Sequence, residues 1–250
     1  MTVQAMLLTL IFVLIPLSLS KTLRLGLEKD TLVATIRSII QLFAVGYVLQ
    51  FIFDSENIMY ILLMVALMIG AATQNARKKG ASIRGITWKL VLTFIVIEIL
   101  TQGILLGLRI TPPTAQYIIP LSGMVIGNSM VLGILFLNRF TAEVASRKEE
   151  MELILSLGGT PKQAIQQSLL ASIKASTIPT IESQKTIGLV QLPGMMSGQI
   201  IAGADPLQAV MFQLLILFLL LTTAIVTSIM LGFLSYPTRF NERMQITENR

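Results

Sequence analysis

The chain contains no cysteine and no histidine. Without cysteine there is no disulfide framework, no thiolate zinc site and no redox pair. Without histidine, the most versatile proton carrier and the commonest transition-metal ligand are missing. Charge is scarce too: 13% of the 250 residues are charged, against roughly 25% in a soluble domain. None of the 17 glycines is followed by lysine, so the phosphate-binding pattern G-x-x-x-x-G-K-[ST] does not occur. Any ATP chemistry linked to this chain is expected on another polypeptide. No Pro-, Gly- or Ser-rich linker interrupts the sequence, which reads as one membrane domain over residues 1–250.

What is present is apolar. The composition is 54% hydrophobic, with a mean hydropathy of +0.77. Uncharged runs long enough to cross a bilayer recur along the chain. They are continuous rather than alternating, which excludes an outer-membrane barrel. The expected fold is an all-α integral membrane protein with about seven transmembrane helices, near residues 2–20, 33–53, 58–74, 88–108, 114–137, 186–204 and 206–234. Every lysine and arginine except Arg109 falls near the first or third connection, in the long segment 138–185, or at the C-terminus. Arg109 shares the other side with Asp54, Glu56 and Asp205. This asymmetry puts the N-terminus outside and the C-terminus in the cytoplasm. It also accounts for the net charge of +6 without a nucleic-acid partner. Basic residues come after the first apolar run instead of preceding it, so that run reads as a retained span and not a signal peptide. Asp205 and Pro206 start the last helix, and the polar tail 241–250 is expected to be disordered.

Few side chains inside the spans carry chemistry. Glu98 is the only acidic residue within a clear span, and Gln102 lies on the same helical face. A buried carboxyl there either serves a cation or proton on a path or locks two helices together. It is also the single metal-ligand candidate. The sixth segment is the least lipid-like, with Gln191, Pro193, Gly194, Met195, Met196, Ser197, Gly198 and Gln199. Proline frees a backbone carbonyl, and broken helices of this kind line substrate sites. Met195 and Met196 offer soft thioethers or simply fill space. Asn128 and Ser129 make a weaker case of the same type in the fifth span. With no His or Cys, a metal must cross weakly held, complexed, or on a path completed by a second subunit. Gly103/Gly107, Gly123/Gly127 and Gly194/Gly198 have the spacing that lets helices approach closely, either to pack or to slide.

The stretch "ELILSLGGTPKQAI" (152–165) is a polar elbow in this setting. A helix running to Leu157 is ended by Gly158 and Gly159. Thr160 as N-cap, Pro161 at the first position and Gln163 three residues on then start another. Pro179 is expected to interrupt this second helix, whose Ile165, Leu169, Ser172, Ile173 and Ser176 share one side. The segment 138–185 thus reads as a cytoplasmic helix–elbow–helix lying along the inner membrane surface. It either covers the bundle or docks a soluble partner.

The elbow resembles the cytoplasmic EAA loop of ABC-transporter permeases: Glu152, Gly158 six residues later, then Gly159, Thr160, Pro161 and a polar helix start containing Gln163. Leu153 and Ile154 stand where Ala-Ala is usual. The segment 182–213, beginning "ESQKTIGLVQLPGMMSGQ", and "GNSM" at 127–130 resemble the FetB-type permeases over nearly the whole chain. That family includes the membrane subunit of a plant aluminium-tolerance transporter. The resemblance implies a permease subunit and not an enzyme, exporting a solute linked to iron or metal homeostasis. It implies a separate cytoplasmic ABC ATPase that binds ATP and Mg and docks on the elbow, with no cofactor on this chain. It further implies a second copy of the permease, as a homodimer in the lipid of a prokaryotic plasma (inner) membrane. On the residues alone, an ion-coupled secondary transporter using Glu98 and a non-transporting scaffold remain open.

Overall fold

The computed structural model describes residues 8–55, 57–81, 83–241 and 244–246. Glu56, Arg243, Arg250 and the start of the first expected span lie outside the described residues. The helices are α1 (Ile11–Thr22), α2 (Glu28–Ser55), α3 (Ile58–Arg77), α4 (Ile86–Gly107), α5 (Ala115–Ser146), α6 (Lys148–Ser156), α7 (Pro161–Thr186), α8 (Gly194–Ile201) and α9 (Pro206–Ser235), followed by a 3-10 turn (Tyr236–Arg239). Among the described residues, α2, α3, α4, α5 and α9 with its turn are long and apolar enough to cross a membrane, five in all. The chain divides into two compact units, 1–57 and 58–250.

The first unit is a hairpin of α1 and α2. Its turn is tied by Ser20, whose hydroxyl donates to Glu28 Oε1 at 2.8 Å and accepts from the Leu27 amide at 3.2 Å. Outside that turn almost no side chain of α2 is buried; Leu42, Phe43, Tyr47 and Phe51 are all exposed. A long, mostly apolar helix that is this unburied is suited to lipid or to another helix.

In the second unit α5 is central, touching α3, α4, α7 and α9. Phe94, Phe136, Phe140 and Leu231 are fully buried there. Phe136 and Phe140, one turn apart, stack with ring centroids 5.4 Å apart. Close approach of helices happens where a side chain would not fit. A Cβ on Gly232 of α9 would lie 2.6 Å from Leu169 Cδ1 of α7, and one on Gly133 of α5 would lie 3.1 Å from Leu231 Cδ1. The three Gly-x-x-x-Gly pairs are not such contacts: a Cβ on Gly103, Gly107, Gly127, Gly194 or Gly198 meets nothing within 4 Å, and one on Gly123 only Met68. Spacing alone does not distinguish a glycine in a crossing from a glycine facing outward.

The largest departures from the expected fold concern α7 and the segment 187–204. Pro179 does not end α7, which continues to Thr186. A proline forfeits one backbone hydrogen bond, but α7 is held against α9 on both sides of it. Ser176 and Ser228 share a hydroxyl–hydroxyl bond of 2.8 Å, and Gln184 Nε2 donates to the Leu217 carbonyl at 2.9 Å. These contacts, with Leu169 at Gly232, show α7 running antiparallel alongside α9 and not across the end of the bundle. The expected sixth span is accordingly absent as a single helix. After Thr186 the chain turns through 187–193, where Gly188 takes φ +87° and its amide donates to the Gln191 carbonyl at 3.0 Å. Pro193 then caps the eight-residue α8. Of the tail 241–250, only 241 and 244–246 are described: Ile246 forms a β-bridge with Phe240, and Gln245 N–H donates to Asn241 Oδ1 at 2.8 Å, while the rest of the expectation lies outside the described residues.

Candidate functional site

The elbow is built by backbone geometry. At the end of α6 the Gly158 amide donates to the Leu155 carbonyl at 3.1 Å and the Gly159 amide to Ile154 at 2.9 Å. This pair of bonds closes a helix around a left-handed residue, here Gly158 with φ +87°. Gly159 has no room for a Cβ, which would fall 2.8 Å from the Ile154 carbonyl oxygen. Thr160 Oγ1 then accepts from the Gln163 amide at 3.3 Å while Gln163 Oε1 accepts from the Thr160 amide at 2.8 Å. Pro161 opens α7. Glu152 is exposed and pairs with Lys148 at 3.8 Å. Leu153 and Leu157 lie exposed beside it. A cleft of about 730 Å³ is lined by Glu152, Leu155, Ser156, Gly158 and Gly159 on one side and by Met244, Gln245 and Ile246 on the other.

One strut fixing the elbow is not evident from the sequence. Glu143, near the end of α5, is buried and takes Arg139 at 2.6 Å and Arg147 at 3.1 Å. Arg147 also donates to Gln167 of α7 at 2.5 Å. One carboxylate and one guanidinium thus tie α5, the start of α6 and α7. The i, i+4 spacing of these residues is legible, but such pairs usually lie on solvated faces.

The polar residues of the spans fall into two groups. Glu98 and Gln102 do share a face of α4, as their spacing predicts, and meet Ser122 of α5. Gln102 Nε2 donates to Ser122 Oγ at 2.9 Å, and Ser122 donates to Glu98 Oε1. Glu98 Oε2 and Gln102 Oε1 are buried with no hydrogen-bond partner among the described residues. Asn128 links α5 to α9, donating to Thr223 Oγ1 at 2.8 Å and to the Leu220 carbonyl at 3.2 Å. Ser129 is buried, and its Oγ has no such partner. The second group lies on the turn and on α8: Gln191 is exposed, while Pro193, Met196 and Gln199 are half-buried. Met195 packs with Leu105, Leu121 and Ile216, as a filler between helices would. Among the described residues no three His, Cys, Asp or Glu side chains come together as metal ligands.

The depth of the break can be read against α9. Its 30 residues span about 45 Å at 1.5 Å per residue. Gln184 meets α9 at Leu217, roughly 16 Å from the Pro206 end. The end of α7 and the turn after it therefore lie alongside the apolar middle of α9. Non-helical backbone at that depth occurs in proteins only where it faces protein or a water-filled cavity.

These features define a polytopic helical membrane protein with a break in the helical backbone beside the apolar middle of α9. The chain belongs to the uncharacterised protein family UPF0014, whose model matches residues 3–240. It is 57% identical to the UPF0014 membrane protein YjkA of Bacillus subtilis, over 97% of each chain. It is 39% identical to the "probable iron export permease protein FetB" of Escherichia coli, over 98% of this chain and 95% of that one. It is 32% identical to the protein ALUMINUM SENSITIVE 3 of Arabidopsis thaliana, over 95% of this chain and 87% of that one. No solved structure matches. The resemblance to the FetB-type family seen in the sequence is thereby established. The chain is a multi-pass protein of the plasma membrane.

Proposed function

We propose that this chain is the membrane-spanning permease subunit of an ABC transporter that exports iron or a metal-related solute. A separate ATPase subunit, carrying ATP and Mg, docks on the elbow. The observation that carries this reading is the elbow itself. It is a short turn set by a glycine closure and a capping box, it exposes Leu153 and Leu157 beside Glu152, and Glu143 and Arg147 tie it to α5 and α7. Force applied there reaches the bundle through packed helices and not through a flexible loop. The name of the E. coli relative supports the transport direction. The distribution of basic residues supports a cytoplasmic elbow and an external N-terminus. Two copies facing each other would complete a path, and the sparse ligand set implies cargo that crosses complexed or weakly held.

The test is co-purification from the native host in mild detergent, with ATPase activity measured on the eluate. The expected result is a bound ATPase lost in the Glu152→Arg variant while membrane insertion is unchanged. Co-purification of that variant at wild-type yield would overturn the docking role. A second reading, ion-coupled transport through Glu98, is favoured by the unpartnered Glu98 Oε2. Transport in vesicles that tracks a pH gradient and ignores ATP would select it.

A further inference from the structure

The face of α7 turned away from α9 exposes charged side chains among Leu170, Ile178 and Ile181, at a depth where lipid-facing helices carry none. Gln167, Lys174, Ile178, Glu182 and Lys185 recur at helical spacing along one side and are all exposed. Lys174 is near enough to the elbow end for its long stem to reach the interface. Glu182 and Lys185 are not. They flank Gln184, whose amide binds the Leu217 carbonyl of α9, so they sit beside the middle of an apolar helix. They form an ion pair of 2.7 Å, with side chains 59% and 62% exposed. Immediately after them comes the open turn 187–193, with Leu189 and Val190 almost fully exposed. An exposed ion pair and non-helical backbone at one depth are two independent signs of water or of a polar surface opposite.

We propose that Glu182 and Lys185, with the adjoining turn, form a water-accessible, charge-reading station midway along the translocation path. The solute is hydrated and charged, and in passing it exchanges its own contacts for the internal ion pair. Glu182 receives its cationic or donor groups and Lys185 its anionic oxygens. This role in transport rests on the permease reading, but the placement of the residues does not.

The natural absence of cysteine makes the test direct. Single variants Glu182→Cys, Lys185→Cys, Ile178→Cys and Phe218→Cys are made in the full chain, in membranes. Each is treated with membrane-impermeant cationic and anionic methanethiosulfonates, and labelling is monitored by mass. Phe218 is 64% exposed on α9 at the same depth and serves as the apolar reference. A thiol reacts as its thiolate, which forms in water and not in hydrocarbon. Labelling at 182, 185 and 178 is expected to be at least about tenfold faster than at 218. The anionic reagent is favoured at 182, where Lys185 remains, and the cationic reagent at 185, where Glu182 remains. Ile178→Cys keeps both charges and guards against loss of folding in the other two. Labelling at all three sites no faster than at 218 would overturn the proposal. No ATPase is needed for the assay, so failure of the docking experiment leaves it unaffected.

Discussion

Helices α7 and α9 lie side by side, of similar length, with opposite compositions. α9 is almost wholly apolar, and its sequence announces a span. α7 carries serines, glutamines, lysines and a glutamate, and its sequence announces a surface helix. What places α7 in the bundle is a seam of small residues. Ser168, Ser172 and Ser176 are fully buried, and Ser228 and Gly232 lie opposite on α9. Small side chains let the backbones approach, and each hydroxyl finds an acceptor: Ser172 and Ser176 on α7 itself, Ser228 on α9, and Ser168 at the Glu143 carbonyl of α5, 3.4 Å away. A helix needs one suitable stripe to join a bundle, not an apolar circumference. Its remaining faces are then free to carry charge.

The most damaging way to break this comparison is to fill the seam. Gly232→Leu would drive a side chain into Leu169. Overpacking of this kind costs about 1–3 kcal/mol, and the variant is expected to lose thermal stability in detergent by size-exclusion analysis. A normal melting point would show that α7 does not press on α9. A smaller effect sharpens the same point. Ser176→Ala or Ser228→Ala alone should cost roughly 0.5–1 kcal/mol, the range for a hydrogen bond between membrane helices. The double variant should cost less than the sum of the singles, because no hydroxyl is left facing an apolar methyl. Strict additivity would mean that the two hydroxyls do not interact. Smallest of all is Gly103→Ala, whose new Cβ meets nothing within 4 Å. The isolated chain should be unaffected within about 0.5 kcal/mol. A change in co-purification of a tagged second copy, with stability intact, would mark this face as an interface between copies.

Much of the architecture is legible in the sequence. Spans two to five and the last one are long apolar runs, and no tertiary contact is needed to see them. The elbow is readable residue by residue, because Gly158, Gly159, Thr160, Pro161 and Gln163 act through backbone conformations and bonds closed within a few positions. Glu98 and Gln102 share a face by helical spacing alone. The sixth segment departs from its expectation for a specific reason. Residues 186–204 are apolar enough to suggest a span, but Gly188 in a left-handed conformation and Pro193 as a cap cut them into a turn and a two-turn helix. Conversely, Pro179 looks like a stop, and contacts with α9 on both sides of it carry the helix through.

The sequence by itself determined the solvent and the local stops. An apolar composition with few charges requires a bilayer, and capping residues set where the elbow helices end and begin, since both depend on chemistry within a turn or two of chain. Only the tertiary structure decided which helix stands where. It put a polar helix beside the most apolar one, joined Glu143 to two arginines beneath the elbow, and brought Glu182 and Lys185 to mid-depth. Those outcomes depend on which faces meet across tens of residues, and a small serine or glycine reads the same in a list whether it faces water, lipid or a neighbouring backbone.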